Sequence, residues 1–164
     1  MPLSTIDPAT FRSVLGRFAS GVTVVTVRDV RHFDHGMTVT AFSSVSLEPP
    51  LVQVSIGKAA SLHGILGTGN LALQFAVNIL SSKQEPLARR FAEEHPDRFD
   101  GVGFTRGVTG APILDECLDV IECEVQSRYE AGDHTIVLGT VIATATNEGS
   151  PLLYYRGGYA SLQR

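Results

Sequence analysis

Apolar residues along this chain recur mostly at the spacing of β-strands. Between residues 121 and 130 apolar and polar residues alternate, which predicts a strand with one solvated face. Residues 21–27 form an almost continuous β-branched run, which also predicts a strand. Patterns of these kinds predict six strands, at residues 21–27, 38–47, 51–56, 70–78, 121–130 and 134–146.

Other stretches have the features of helices. Asp7-Pro8 is a favourable helix start, and an apolar face follows at helical spacing, so a helix is predicted over about residues 8–18. Residues 82–85 have the sequence of a capping box, which predicts a second helix that continues through Phe91. Residues 61–66 are predicted to form a short helix.

The order of these elements favours one fold class. Two helices interrupt six strands without regular β-α-β alternation, so the pattern favours a mainly β fold, a closed or nearly closed antiparallel barrel, over a doubly wound sheet. The polar segment 28–36 is predicted to be a hairpin loop, and the glycine-rich segment 97–110 is predicted to be a loop. The chain has 164 residues, so we expect a single domain over residues 1–164.

Composition and charge narrow the functional classes. The formal net charge of −4 argues against a nucleic-acid or anionic-membrane partner, and the low charged content of 18% is typical of a chain with surface buried in an oligomer. No run approaches about 18 apolar residues, so no transmembrane helix is predicted. Asp7 interrupts the apolar core that a signal peptide needs, and Cys117 and Cys123 form no disulfide pattern. We therefore expect a cytoplasmic protein with small buried cysteines.

The segment from residue 36 to residue 56 contains more hydroxyl groups than ordinary half-buried strands do. Pro49 and Pro50 divide it into two strands, because proline cannot donate an N–H to a sheet. Small hydroxyl side chains allow a flat polar ligand to approach the backbone, and they offer both donors and acceptors. The crowded hydroxyls are those of Thr38, Thr40, Ser43, Ser44 and Ser46.

A candidate phosphate site follows the second of these strands. Lys58 supplies a positive charge, and Ser61 and nearby backbone N–H groups supply directed hydrogen bonds. The segment is not a P-loop, and a solvated turn with an ordinary surface lysine is the alternative interpretation. Together, the strand pair and this turn predict a long ligand with a planar head and a phosphate.

Other chemistry is weakly supported. His32 and His35 lie in a predicted loop without a further ligand, so no metal site is predicted. The chain lacks a Gly-x-Ser-x-Gly elbow and a Rossmann fingerprint. His134 lies at a predicted barrel rim, where it is either a ligand contact or a turn histidine. Arg156 and Tyr159, in a glycine-containing terminal segment, either stack on a ring or form a subunit contact.

Taken together, these segments resemble the short-chain flavin reductases, a family with an FMN-binding split-barrel fold of six antiparallel strands in Greek-key order. The resemblance extends nearly end to end and is strongest in Thr-Val-Thr-Ala-Phe-Ser-Ser-Val-Ser-Leu-x-Pro-Pro-Leu-Val, at residues 38–52, with Lys58-Ala59-Ala60-Ser61 and Gly132-Asp133-His134 in support. It implies hydride transfer from NADH or NADPH to FMN or FAD, and supply of reduced flavin to a partner monooxygenase by a homodimer.

The resemblance also implies roles for individual residues. Residues that would bind the flavin are Thr38, Val39, Thr40, Ala41, Phe42, Ser43, Ser44, Ser55, Ile56, Lys58, Ser61 and Phe91. His134 would be the catalytic residue, and it would contact the nicotinamide together with Arg156 and Tyr159. Two alternatives remain open: a flavin oxidase that acts on a pyridoxine-type phosphate, and a non-catalytic flavin-binding or electron-relay protein.

Overall fold

Antiparallel strands make up most of the chain in a computed structural model, which describes residues 5–69 and 73–163. The two α-helices of this part are α1 (Pro8–Leu15) and α2 (Glu85–Ala92), and a single π-helical turn spans His63–Gly67. The strands of the described residues are β1 (Ser20–Gly21), β2 (Thr23–Arg28), β3 (Asp34–Val39), β4 (Phe42–Ser46), β5 (Leu51–Gly57), β6 (Gln74–Ile79), β7 (Phe104–Arg106), β8 (Pro112–Leu114), β9 (Asp119–Ala131), β10 (His134–Thr146), β11 (Leu152–Tyr155) and β12 (Gly158–Ser161).

A seven-stranded antiparallel sheet forms the centre of the fold, in the order β3-β2-β6-β9-β10-β5-β4. Its longest hairpin, β9–β10, turns at Gly132, whose φ of 64° suits glycine. The edge strands β3 and β4 are joined by only Thr40 and Ala41, so the sheet curls until its two edges meet there. Within the described ranges, no β3–β4 ladder closes this sheet into a barrel.

The core lies on both faces of β2. Val25 and Val27 belong to one buried cluster, whereas Val22 and Val24 belong to a second cluster that α2 covers with Phe91. Burial on both faces explains why residues 21–27 are β-branched almost without interruption. Helix α1, in contrast, buries none of its residues.

The predicted mainly β, antiparallel architecture is confirmed, whereas the number of six strands is wrong for the part of the chain that is described. Residues 34–36, predicted as loop, begin strand β3, because pairing with β2 overrides their polar character. The predicted strand 38–47 is interrupted at Thr40 and Ala41, where the chain passes from one edge of the sheet to the other. The remaining extra strands, such as β1 and β7, are too short to produce a periodic pattern.

The helix predictions are confirmed in position but not in every boundary. Asp7 caps α1, with its Oδ2 accepting the N–H of Thr10 at 3.0 Å, but the helix ends at Leu15 and not at residue 18. The capping box is wrong: α2 begins at Glu85, and the N–H of Ser82 donates to a backbone carbonyl elsewhere. Part of the predicted strand 70–78 lies outside the described residues, since 70–72 are not among them.

Candidate functional site

Strand β5 separates the hydroxyl-rich segment from His134, and only residues 40–42 of that segment lie toward the same end of β5 as His134. It lies between β4 and β10, and its last residue, Gly57, pairs with His134. Two residues earlier, the N–H of Ser55 donates to the carbonyl oxygen of Ala41 at 3.0 Å. Neighbouring strands are about 4.8 Å apart, so these two flanks of β5 lie roughly 10 Å from one another.

The hydroxyls of the predicted ring-binding segment have different environments. The Oγ1 of Thr38 donates to the carbonyl oxygen of Ala88 at 2.6 Å and ties β3 to α2. The Oγ of Ser43 accepts a hydrogen bond of 2.9 Å from Gln53 Nε2 on β5. Thr40 and Ser44 are exposed, as are Ala41 and Ser43. Residues 40–44 therefore present backbone and hydroxyl groups at the surface, whereas Thr38 has a structural partner.

Three of the predicted flavin-binding side chains are buried. Ile56 and Phe91 have no exposed surface, and Val39 is 4% exposed. The Phe91 ring packs edge-on against Phe99 with centroids 5.0 Å apart, directly behind Gly36. These three residues therefore support the site from within the core, and their side chains are not exposed to a ligand.

Lys58 lies immediately after β5 and is fixed by the β9–β10 turn. Its N–H donates to the carbonyl oxygen of Asp133 at 2.9 Å, and its Nζ lies 3.4 Å from Oε1 of Glu130. The ammonium group is partly exposed, and the Glu130 carboxylate is largely exposed. The charge of Lys58 is therefore held at the surface next to the start of β10.

Ser61 and Arg98 together bind the carboxylate of Glu94, and both Glu94 and Arg98 follow α2 in the sequence. Its N–H donates to Oε1 of Glu94 at 3.3 Å, and Oε2 of Glu94 lies 2.9 Å from Nη2 of Arg98. The guanidinium also donates to the carbonyl oxygen of Gly36, and only 8% of the Arg98 side chain is exposed. The Ser61 hydroxyl, assisted by Arg98, lowers the pKa of Glu94. The arrangement holds a carboxylate in its ionised form.

A cavity of about 480 Å³ opens beside this group. Its lining includes His35 and Gly36 of β3, Ser61, and both Glu94 and Arg98. The Arg98 Nε is buried and has no hydrogen-bond partner within the described residues. A buried guanidinium with donor capacity left at a cavity wall is suited to an anionic ligand.

His134 begins β10 and is held by its sequence neighbour. Its Nδ1 lies 2.7 Å from Oδ1 of Asp133, and 48% of its side chain is exposed. This contact lowers the pKa of Asp133, so the carboxylate stays ionised and orients the imidazole. The Nε2 atom then faces the space beside Gly57, since a Cβ added to Gly57 would lie 3.7 Å from it.

Tyr159 and Arg156 belong to a different part of the fold, the β1-β11-β12 sheet. The Tyr159 ring packs against Tyr154 and against the Arg89 guanidinium, at 5.4 Å and 4.9 Å between centres, and burial raises the pKa of its hydroxyl. The N–H of Arg156 donates to the carbonyl oxygen of Gly16, next to α1. Among the contacts of the described residues, none joins either side chain to His134.

Comparison with known proteins places this arrangement in a family. Residues 15–163 match the family described as the flavin reductase like domain. The chain belongs to this family. It is 42% identical over 163 residues to an NADH-dependent flavin reductase of Rhodococcus sp, with 96% of this chain and 88% of the relative covered. It is 39% identical over 163 residues to the reductase subunit HsaB of a flavin-dependent monooxygenase of Mycobacterium tuberculosis, with 96% and 84% covered.

A solved structure agrees with the assignment. The NADH:FAD oxidoreductase SgcE6 of Streptomyces globisporus, in complex with NAD and FAD fragments, superposes with a TM-score of 0.89 at 38% identity, covering 98% of this chain and 97% of that one. The predicted identification as a flavin reductase is confirmed. The two alternatives, a pyridoxine-phosphate-type oxidase and a non-catalytic flavin protein, are not favoured.

For a flavin reductase, the residues in this chain fit a phosphorylated flavin. The exposed segment 40–44 runs along one edge of β5, Ser55 lies on β5, Lys58 and His134 lie at its end, and Ser61 adjoins the cavity. Arg156 and Tyr159 are not gathered there within one chain. The role of each of these residues remains a prediction.

Sequence reasoning missed three charged residues around the predicted phosphate-binding residues Lys58 and Ser61, namely Glu94, Arg98 and Glu130. An acidic and a basic residue four positions apart, directly after a predicted helix, could have marked the Glu94–Arg98 pair. Their link to Ser61, 33 residues away, has no sequence signal. The cysteines are as predicted, since both are buried and unpaired, and burial raises the pKa of each thiol to about 12.

His35, considered above for a metal site, instead has a carboxylate partner. Its Nε2 lies 2.9 Å from Oδ2 of Asp29, a residue that is only 3% exposed. No group of three potential ligands that could hold a metal is found in residues 5–69 and 73–163. Over the same ranges, no helix is both long and apolar enough to cross a membrane.

Proposed function

We propose that this chain transfers a hydride from NADH or NADPH to FMN or FAD and supplies the reduced flavin to a partner monooxygenase. The observation that carries the proposal is the arrangement along β5: the hydroxyl-rich strand β4 pairs with one edge of β5, and His134 and Lys58 lie at the end of that strand. The names of relatives support the reaction: one is an NADH-dependent flavin reductase, and another is the reductase subunit of a flavin-dependent monooxygenase.

The flavin site that we propose runs along β5. Backbone groups and hydroxyls of residues 38–44, together with Ser55, would hold the ring and its ribityl chain above the buried Ile56, and Lys58 and Ser61 would hold the phosphate. Hydride uptake places negative charge on the ring, and N–H and O–H donors already fixed around its edge stabilise that charge without a strong acid or base. When bound, the flavin supplies the hydride acceptor.

His134 is the residue that we assign to the nicotinamide. Asp133 fixes its Nδ1 and leaves Nε2 toward the open end of β5. Hydride transfer depends on holding donor and acceptor atoms close together, so positioning is the main contribution of this side chain. Arg156 and Tyr159 remain proposed nicotinamide contacts.

We propose that the protein is a homodimer with the flavin near the subunit interface. In one chain His134 and Tyr159 lie in different sheets and share no contact among the described residues, which supports a site to which a second copy contributes one of them. Helix α1 buries no residue and leaves Phe11, Val14 and Leu15 more than half exposed, with Phe18 beyond it 84% exposed. Such an apolar face is typical of a subunit contact.

The proposal also covers the barrel type, the cellular location and the number of domains. Curling of the sheet until β3 and β4 meet supports a split barrel of Greek-key type. Unpaired Cys117 and Cys123 support a cytoplasmic location. Matching of residues 15–163 to one family supports a single domain.

The test of the function is oxidation of NADH and NADPH with and without added FMN or FAD, followed at the nicotinamide absorbance. Flavin-dependent turnover with at least one nucleotide is expected. Absence of turnover with every pair would refute the proposal. Sedimentation of the same sample tests the homodimer independently.

A further inference from the structure

Both groups proposed to bind the flavin phosphate hold a carboxylate of the chain itself in this structure. Lys58 faces Glu130 at 3.4 Å, and Ser61 donates to Glu94 at 3.3 Å through its N–H. The Glu94 contact is the more extensive of the two, because the Ser61 hydroxyl and the Arg98 guanidinium also donate to the same carboxylate. A carboxylate and a phosphate accept hydrogen bonds from the same kinds of donor.

The donors are fixed, whereas the carboxylate is free to move. Arg98 is almost fully buried and is held by the carbonyl oxygen of Gly36. Glu94 comes after the end of α2, and 58% of its side chain is exposed, so it can rotate into solvent without disturbing the core. The unpartnered Nε of Arg98 leaves donor capacity at this site beyond what Glu94 satisfies.

Two anions cannot share these donors, because like charges at hydrogen-bond distance repel one another. We propose that Glu94 is an internal competitor of the flavin phosphate: it occupies the Ser61–Arg98 donors when no flavin is bound, and it must leave them when the phosphate enters. The inference rests on the proposed phosphate role of Ser61. By weakening phosphate binding, Glu94 speeds release of the reduced flavin, which a reductase that supplies a separate monooxygenase requires.

The test compares two flavins that differ in the phosphate. Titration of the protein with FMN and with riboflavin, followed by flavin fluorescence, gives a Kd for each. In Glu94→Gln we expect the Kd for FMN to fall about tenfold, the equivalent of one charge-assisted contact, while the Kd for riboflavin changes by less than about twofold. The dissociation rate of FMN is expected to fall by a similar factor.

Glu93→Gln is the matched control. Glu93 is the neighbouring exposed residue at the end of α2, and its side chain carries the same charge without a hydrogen bond or ion pair in the described part of the chain. We expect both of its Kd values to stay within about twofold of the original protein. Glu94→Ala is a second variant that removes the acceptor completely and is expected to tighten FMN binding at least as much.

The outcomes separate this inference from the proposed function. An unchanged or weaker FMN affinity in both Glu94 variants would overturn the competitor role, as would an equal gain for riboflavin or for Glu93→Gln. Absence of flavin binding by every variant would overturn both proposals. Flavin binding with the expected FMN-specific gain, but without NAD(P)H oxidation, would support the competitor role and refute the reductase function alone.

Discussion

Replacing Gly36 by alanine is expected to destabilise the protein, because β3 has no space for a methyl group at this position. A Cβ at Gly36 would lie 2.7 Å from Cε1 and 2.9 Å from Cδ1 of Phe91, and 3.1 Å from Cζ of Phe99. Carbon atoms in favourable contact are about 3.5–4.0 Å apart, so the Phe91 ring would have to move by roughly 1 Å.

The Phe91 ring has little freedom to make that movement. It is completely buried, and its edge contact with Phe99 is continued by a second edge contact between Phe99 and Phe104. Overpacking of a buried site costs about 1–3 kcal/mol. A loss of about 2 kcal/mol in the free energy of unfolding corresponds to a fall of roughly 4–8 °C in Tm for a chain of this length.

Thermal unfolding of Gly36→Ala, followed by circular dichroism, measures this loss. Gly21→Ala is the matched control, because Gly21 is also in a strand and an added Cβ would meet no atom within 4 Å. Addition of Phe91→Leu should reduce the penalty of Gly36→Ala by at least about 0.5 kcal/mol in a double-mutant cycle. The packing argument is wrong if Gly36→Ala lowers Tm no more than Gly21→Ala does.

Three other substitutions test the fold and the site. Thr38→Val should lower the free energy of unfolding in urea by about 1 kcal/mol, because it removes the hydrogen bond to Ala88. Thr38→Ser keeps the hydroxyl and should stay near the original stability. A loss of flavin affinity at unchanged stability would instead assign the hydroxyl to the ligand. His134→Ala should slow hydride transfer by about tenfold or more in stopped-flow assays while flavin Kd stays within about twofold, and equal losses would make His134 structural. Burial raises the pKa of Asp29, but hydrogen bonds from His35 and two backbone N–H groups outweigh this effect and hold the pKa below its usual value of 3.8. Asp29→Asn should therefore be destabilising at pH 7, and its difference from the original protein in urea-unfolding free energy should vanish as pH falls through the lowered pKa. A difference that stays constant with pH would contradict this.

Local patterns were sufficient to predict the elements whose residues face one environment along their length. The alternation in residues 121–130 and the Gly132 turn correspond to β9 and β10, and the continuous apolar run corresponds to β2. Asp34 and Gly36 at the start of β3 were predicted as loop because their partners, Arg106 and Arg98, are distant in sequence. Their burial results from the fold, so no local hydrophobic pattern records it.

The hydroxyl-rich segment shows why a composition can indicate a ligand site without assigning each residue. Thr38 and Thr40 are two residues apart and chemically identical, yet Thr38 is bonded to α2 and Thr40 is exposed beyond the end of β3. The difference depends on where α2 packs, which the sequence near Thr38 does not specify.

The same reasoning applies to charge. Lys58 and Ser61 were identified as phosphate-binding residues from their local sequence, but their carboxylate partners are 72 and 33 residues away. A sequence pattern therefore indicates what a site can bind, whereas its affinity depends on groups brought there by the fold. If Glu94 does compete with the phosphate, flavin affinity in this protein is adjusted by an acidic residue outside the ligand-binding segment, and substitution of Glu94 should change how fast reduced flavin leaves without changing the ring site.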